Sequence, residues 1–151
     1  MNTEQIEIRA ITEDIIDMED LSSFIYRLNI IYKFCYFSII QKEVRYGFPY
    51  YRLPKIEKDN RLKISNISKG SFTFYLILPL IASLYLIMVS IFDIIEKYQE
   101  GYFPEYVLRN NIENDLINIQ GLDYQTRKRL VTQIYYLIRV NIKIKRNGKN
   151  N

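Results

Sequence analysis

The chain has 151 residues, of which 48% are hydrophobic and 25% charged, and its formal net charge is +4. This length suits one domain with a single core, and the composition excludes a chain that is disordered throughout. The sequence has no histidine and one cysteine, Cys35, which excludes Ser-His, Cys-His and ordinary zinc chemistry as well as an internal disulfide. No cofactor or metal motif stands out, so we expect no cofactor.

The first twenty residues are acidic, with seven Asp or Glu against one Arg. This is the opposite of the basic start of a secretory signal, so we expect a cytoplasmic protein. Within this stretch, residues 5–11 alternate between apolar and polar, which predicts a short, half-buried strand. The apolar face of that strand carries Ile6, Ile8 and Ala10.

A long amphipathic helix is predicted over residues 17–42. Asp17 is a candidate N-cap, and Asp20 adds negative charge to the first turn, where the helix dipole favours it. The apolar stripe behind them advances by alternating steps of three and four: Met18, Leu21, Ile25, Leu28, Tyr32, Cys35 and Ile39. Other apolar residues widen the stripe, which favours packing in a core over the coiled coil that three heptads would also allow. Cys35 is therefore expected to be a small buried apolar residue.

Residues 46–54 form an aromatic segment interrupted by prolines, which predicts a loop packed over the core or a partner-binding surface. A polar, net-basic connection follows it. Alternation then resumes at Leu62 and Ile64, with a bulge expected near Asn66 and a hairpin turn at Lys69-Gly70.

Residues 70–92 contain no charged side chain, and this charge-free stretch is long enough to span a membrane. Their first half alternates like a strand, however, and Pro79 suits the first turn of a new helix. From Leu80 to Tyr98 the apolar residues recur at helical spacing. We therefore favour a core strand followed by a helix, with a membrane span as the alternative.

The helix after Pro79 is apolar nearly all round and must be covered on most sides. Because so small a chain offers little cover, we expect a partner subunit there, either in a homo-oligomer or in a larger assembly. The predicted interface consists of Leu84, Tyr85, Met88, Phe92 and Ile95.

Two further helices are predicted in the C-terminal part, one from residue 105 to about 119 and one capped by Asp123. Gly121 separates them, and the second helix holds Leu130, Ile134 and Leu137. Residues 138–145 fit either a closing strand or a continued helix. We expect a single domain over residues 1–146 and a disordered tail over 147–151.

Positive charge accumulates at this end: no acid follows Asp123, whereas eight Lys or Arg residues do. Such a block could contact phosphates of nucleic acid or lipid, dock another copy's acidic N-terminus, or simply be a solvated face. The candidate anion contacts are Arg127, Lys128, Arg129, Arg139 and Lys143, with Tyr135 and Tyr136 as stacking partners. The carboxylates of Glu96, Glu100 and Glu105 are expected to be solvated.

Together these patterns predict an α+β fold, in which a small antiparallel sheet, made of the N-terminal strand and the central hairpin, is packed by two long helices. A basic, mostly helical portion completes it. The predicted function is that of a small non-enzymatic interaction protein acting by self-association or partner binding through its apolar helix. The alternatives are a single-span membrane protein with a cytoplasmic basic C-terminal part and a nucleic-acid-binding module. Compact, motif-poor proteins with AT-rich coding are typical of bacterial mobile elements and phages.

Overall fold

The computed structural model describes residues 3–11, 17–41, 55–65 and 73–146. In chain order, these ranges contain β1 (Thr3–Ile11), α1 (Met18–Tyr36), β2 (Lys63–Ser65), β3 (Thr73–Pro79), α2 (Ala82–Gln99), α3 (Glu105–Ile117), α4 (Tyr124–Arg139) and β4 (Lys143–Arg146). A five-residue π-helix, Phe37–Gln41, extends α1, and a 3-10 turn, Lys58–Asn60, precedes β2. The predicted loop at 46–54, the bulge near Asn66, the Lys69-Gly70 turn and the tail lie outside the described residues.

The four strands form one antiparallel sheet in the order β2-β3-β1-β4. In its centre Ile6 of β1 lies opposite Leu76 of β3, and both side chains are buried. Glu7 and Tyr75 are paired on the other face. One face of the sheet therefore packs on the helices, as the alternation predicted, and the α+β class is confirmed.

Helix α1 begins as predicted, because the Asp17 carboxylate accepts a hydrogen bond from the backbone N–H of Glu19 at 2.7 Å. Its buried side differs from the predicted stripe, since Met18 and Ile25 are 72% and 45% exposed. Further along the helix the prediction is confirmed, because Leu28, Tyr32 and Cys35 of the stripe are buried, together with Phe24 and Ile31, which widen it. Helix α4 packs along α1, and Leu21 is partly buried against the core, so Met18 and Ile25 are the stripe residues that remain at the surface.

The charge-free stretch divides into β3 and α2, as the alternation up to Leu78 predicted. The prediction for Pro79 was wrong. Pro79 ends β3, where its carbonyl accepts the N–H of Ile81 at 2.8 Å, and α2 starts only at Ala82. A strand end tolerates proline because no ladder donor is needed there. None of the helices in the described part of the chain has both the length and the apolar character that crossing a membrane requires.

The C-terminal part contains both of the structures that its sequence allowed. Asp123 caps α4 by accepting the N–H of Thr126 at 2.7 Å, and the helix ends at Arg139. The chain then extends into β4, whose Ile144 is buried and pairs with Ala10 of β1. The sheet thus has a fourth strand that the predicted architecture did not contain.

Helix α2 lies at the centre of the molecule. It packs against β4, α4, α1 and α3, and these elements of the same chain cover most of its circumference. Eight of its side chains are buried: Leu84, Ile87, Met88, Ile91, Phe92, Ile94, Ile95 and Tyr98. The cover that we expected from a partner subunit is therefore supplied by the chain itself.

Candidate functional site

The residues predicted as a partner interface on α2 are located mainly in the core. Leu84, Met88, Phe92 and Ile95 are each fully buried, and only Tyr85 is half-buried. Side chains in this position cannot contact a partner from the surface. The large apolar residue that α2 does expose is Leu86, at 62%.

A groove lies on the side of α1 that faces away from the core, between this helix and residues 55–64. Its volume is about 730 Å³. From α1 it is lined by Ser22, Ile25, Tyr26, Leu28, Asn29 and Lys33. The facing wall consists of Lys55, Ile56, Arg61, Leu62 and Ile64. We call this feature the cationic groove.

The cationic groove combines an apolar floor with a single sign of charge. Leu28 and Ile56 are buried at its base, while Ile25 and Ile64 are exposed along it. Its charged side chains, Lys33, Lys55 and Arg61, are all cations, and no carboxylate is found among its described lining residues. The groove therefore suits an apolar ligand that carries negative charge.

Two tyrosines hold the facing wall against α1. The Tyr32 hydroxyl donates a hydrogen bond to the Asn60 carbonyl oxygen, and the Asn60 side-chain amide donates to the Tyr36 hydroxyl at 3.2 Å. Burial, followed by the neighbouring Tyr36, raises the pKa of Tyr32 far above its ordinary value. The Arg61 Nε atom donates a hydrogen bond to the Ile56 carbonyl at 2.7 Å, which links two residues within the facing wall.

The basic residues predicted as anion contacts do not form one patch. Arg127, Lys128 and Arg129 are consecutive on α4 and therefore point in different directions. Arg127 donates to the Leu122 carbonyl at 2.8 Å, Lys128 forms an ion pair with Glu113 at 3.2 Å, and Arg129 lies over the Phe34 ring. The hydrogen bond with Glu113 raises the pKa of Lys128. Lys143 is exposed on β4, the strand that follows α4.

Arg139, Tyr135 and Tyr136 do come together, in an alternating series of arginines and tyrosines across α4. In spatial order the series is Tyr26, Arg27, Tyr136, Arg109, Tyr135, Arg139 and Tyr102. We call it the arginine–tyrosine ladder. It starts on α1, crosses α4 and α3, and ends in the loop before α3.

The distances in the ladder are those of cation–π contacts. The Arg27 guanidinium carbon lies 4.7 Å from the centre of the Tyr136 ring, and that of Arg109 lies 5.8 Å from the same ring. Arg109 and Arg139 lie 4.5 and 5.2 Å from the ring of Tyr135. Each of these two tyrosines therefore has two guanidinium groups beside it.

The positive charge of the ladder is only partly compensated. Glu105 forms an ion pair with Arg109 at 3.4 Å and accepts the Tyr135 hydroxyl at 3.1 Å. Arg27 donates to the neutral Gln133 side chain at 2.8 Å, and its buried Nε has no hydrogen-bond acceptor among the described residues. Three guanidinium groups thus share one described carboxylate.

The remaining candidate groups are occupied by structural contacts. Glu96 accepts the backbone N–H of Arg146 at 3.1 Å, and Cys35 is fully buried, where desolvation raises the pKa of its thiol. Cys35 is the buried residue that the helix pattern predicted. Within the described ranges, no three acidic or cysteine side chains are grouped so that they could hold a metal ion.

The sequence contained only weak signals for these two surfaces. The net-basic character of residues 55–63 was visible, but its position opposite Ile25 depends on how the chain folds back. Arg27 and Arg109 were not singled out, because an arginine on the polar side of a helix has no distinguishing pattern. No family model matches this sequence, and no curated protein or solved structure shows significant similarity to it.

Proposed function

We propose that this chain is a non-enzymatic interaction protein that self-associates through its cationic groove. The observation that carries the proposal is the groove itself, with exposed Ile25 and Ile64 beside Lys33, Lys55 and Arg61 and no described carboxylate in its lining. Grooves of this type bind amphipathic segments, whose apolar side chains fill the floor while charges pair at the rim.

The occupant that fits best is residues 13–20 of a second copy. This segment reads EDIIDMED, so it carries five carboxylates interspersed with two isoleucines and a methionine. Its charge is opposite to that of the groove, and its apolar residues match the apolar floor.

The position of this segment in the chain makes a reciprocal contact possible. Residues 13–20 include the N-cap Asp17 and the first turn of α1, and the same helix forms one wall of the groove. Two copies related by a two-fold axis could therefore each insert the acidic segment into the other's groove, which is the isologous arrangement typical of homodimers. Met18, which is largely exposed within one chain, would be covered in such a dimer.

The first test measures molecular mass by light scattering and sedimentation at micromolar concentration in low salt. We expect a dimer for the wild-type chain and a monomer for Ile25→Glu, because a carboxylate would be placed on the apolar floor. Leu86→Glu is the matched control, since Leu86 is a large apolar residue that is also exposed, at 62% against 45% for Ile25, but lies on α2, and this variant should remain dimeric. A wild-type monomer, or dissociation by Leu86→Glu alone, would contradict the proposal.

The second test reverses the charges on each side of the contact. Lys33→Glu with Lys55→Glu should give monomers, and so should Glu13→Lys with Asp14→Lys. An equimolar mixture of the two double variants should form heterodimers. In the mixed pair, the unchanged acidic segment meets the unchanged groove, and the segment with added lysines meets the groove with added glutamates, so the charges are opposite at both contacts. If the mixture stays monomeric while the wild type is dimeric, residues 13–20 are not the occupant.

A further inference from the structure

We propose that the arginine–tyrosine ladder is a binding site for single-stranded nucleic acid. This inference goes beyond the proposed self-association. The ladder meets the cationic groove at Tyr26, which belongs to both, and its other residues lie outside the groove lining. On α1 the ladder residue Arg27 is two positions from both Ile25 and Asn29 of the cationic groove, so it lies on the other side of the helix.

The exposed rings of the ladder supply faces for base stacking. Tyr102 is 84% exposed and Tyr136 is 43% exposed, and both lie beside an arginine. A base can stack on a tyrosine whatever its identity, because every base has a π-face. Tyr135 is buried, and its hydroxyl donates a hydrogen bond to Glu105, which fixes the position of its ring in the ladder.

The guanidinium groups supply contacts for phosphates. Arg139 is exposed, and the one hydrogen bond that its guanidinium donates among the described residues goes to the neutral carbonyl of Phe103. Arg27 is partly buried, and its guanidinium donates to the neutral side chain of Gln133. A planar guanidinium pairs with two phosphate oxygens at once, which makes arginine the preferred residue for this contact. Because Glu105 is the one described carboxylate that contacts the ladder, most of its positive charge is left for a ligand.

The alternation of rings and cations favours a single strand over the other polyanions. In a duplex the base faces are already stacked on each other and cannot reach the tyrosines. An acidic peptide would satisfy the arginines but would leave the ring faces unused. Single-stranded nucleic acid presents bases and phosphates in alternation along its length, as the ladder presents their binding partners.

The test uses fluorescein-labelled oligo-dT and oligo-U strands, a duplex of equal length, and labelled poly-glutamate, with binding measured by fluorescence anisotropy. We expect the single strands to bind more tightly than the duplex and poly-glutamate. The logarithm of the affinity should fall with the logarithm of salt concentration with a slope of about −2, as three phosphate contacts on a single strand require.

Variants locate the site on the chain. Tyr102→Ala, Tyr136→Ala and Arg139→Gln should each weaken binding by roughly ten-fold, which corresponds to one lost stacking or phosphate contact. Tyr124→Ala is the matched control, because Tyr124 is also exposed beside two cations, Arg127 and Lys128, but lies outside the ladder. It should bind like the wild type. Tyr102 is so exposed that its removal should leave the folded state unchanged.

Three results would overturn the inference. These are the absence of binding to either single strand, equal affinity for poly-glutamate and oligo-dT, and loss of binding in Tyr124→Ala while the ladder variants still bind. Molecular mass measured in parallel separates the two proposals, because Tyr102→Ala should leave self-association unchanged and Ile25→Glu should leave nucleic-acid binding per chain unchanged.

Discussion

At the scale of single residues, Tyr32 links the core to the cationic groove. Its ring is fully buried, and its hydroxyl reaches the Asn60 carbonyl in the facing wall of the groove. The sequence placed Tyr32 on the buried stripe of α1, and this prediction is confirmed. Its hydrogen-bond partner could not be predicted, because Asn60 belongs to the 3-10 turn Lys58–Asn60, 28 residues further along the chain.

We expect Tyr32→Phe to lower the free energy of unfolding by about 1 kcal/mol at neutral pH, since the ring remains and only the hydrogen bond is lost. The pKa of Tyr32 is raised in the folded state. The stabilising effect is therefore fully present below the ordinary tyrosine pKa of about 10 and is lost as pH rises above it. Urea unfolding of both proteins between pH 7 and about pH 11 should show a difference that shrinks at the alkaline end.

At the scale of elements, the turn between α3 and α4 depends on Gly121. Its φ is +94°, and a Cβ atom there would lie 2.7 Å from Cδ1 of Ile39. The Ser38 hydroxyl also donates to the Gly121 carbonyl at 3.0 Å. The glycine thus permits both the backbone conformation and the close approach of the π-helical end of α1.

We expect Gly121→Ala to lower the free energy of unfolding by about 1–3 kcal/mol, because the backbone strain and the clash act together. Gly101→Ala is the matched control, since the nearest atom to a Cβ there, in the ring of Phe103, is at an ordinary contact distance of 3.4 Å. Thermal unfolding followed by circular dichroism compares the two. Equal losses in both variants would show that the positive φ is not the cause.

The C-terminal strand β4 is held on both edges. One edge pairs with β1, and along the other Gln99 of α2 accepts the Ile144 N–H at 2.7 Å and donates to the Ile142 carbonyl at 3.0 Å. Glu96 accepts the next available N–H, that of Arg146. Side chains of a helix thus satisfy an edge that would otherwise be open to another strand.

Replacing Gln99 by alanine should lower the free energy of unfolding by about 2 kcal/mol, because the N–H of Ile144 in β4 and the carbonyl of Ile142 just before it lose their side-chain partner. Amide hydrogen exchange should also become faster at Ile144 and remain unchanged at Ile6 in the sheet centre. Unchanged exchange at Ile144 would mean that the pairing of β4 with β1 is enough to hold the strand in place.

This arrangement also explains why residues 138–145 allowed two interpretations. Their apolar residues fit a helix and a strand equally well, and the chain forms a helix up to Arg139 and a strand from Lys143. The switch is determined by partners distant in sequence, β1 and Gln99. The spacing of apolar residues shows which side of a segment is apolar, but it does not identify partners that are distant in sequence.

At the scale of the whole molecule, the burial of α2 decides where a partner can bind. Leu84→Ala should lower the free energy of unfolding by about 2–5 kcal/mol, because it opens a cavity in the core. Leu86→Ala, two positions along the same helix, should change it by less than about 0.5 kcal/mol. Denaturant unfolding of both variants, at a concentration where the oligomeric state is the same, provides the comparison.

The opposite result, with a large loss of stability in Leu86→Ala and almost none in Leu84→Ala, would contradict the assignment of Leu84 to the core. In the structure, the four buried residues of the predicted α2 interface are core residues. The sequence identified α2 as a helix that must be covered on most sides, and this was correct. The covering elements could not be identified from apolar pattern alone, because α4, α3 and β4 contact α2 only after the chain has folded back.

The local interactions of this protein were readable from the sequence alone: the alternation of β1 and β3, the caps Asp17 and Asp123, the break at Gly121 and the division of the charge-free stretch near Pro79. These features depend on neighbours within a few residues along the chain. The tertiary structure alone decided that α2 is covered by its own chain, that Ile25 stays exposed beside Lys55, and that Arg27, Arg109 and Arg139 meet around two tyrosines. Each of these depends on contacts between residues far apart in sequence, which no local pattern encodes.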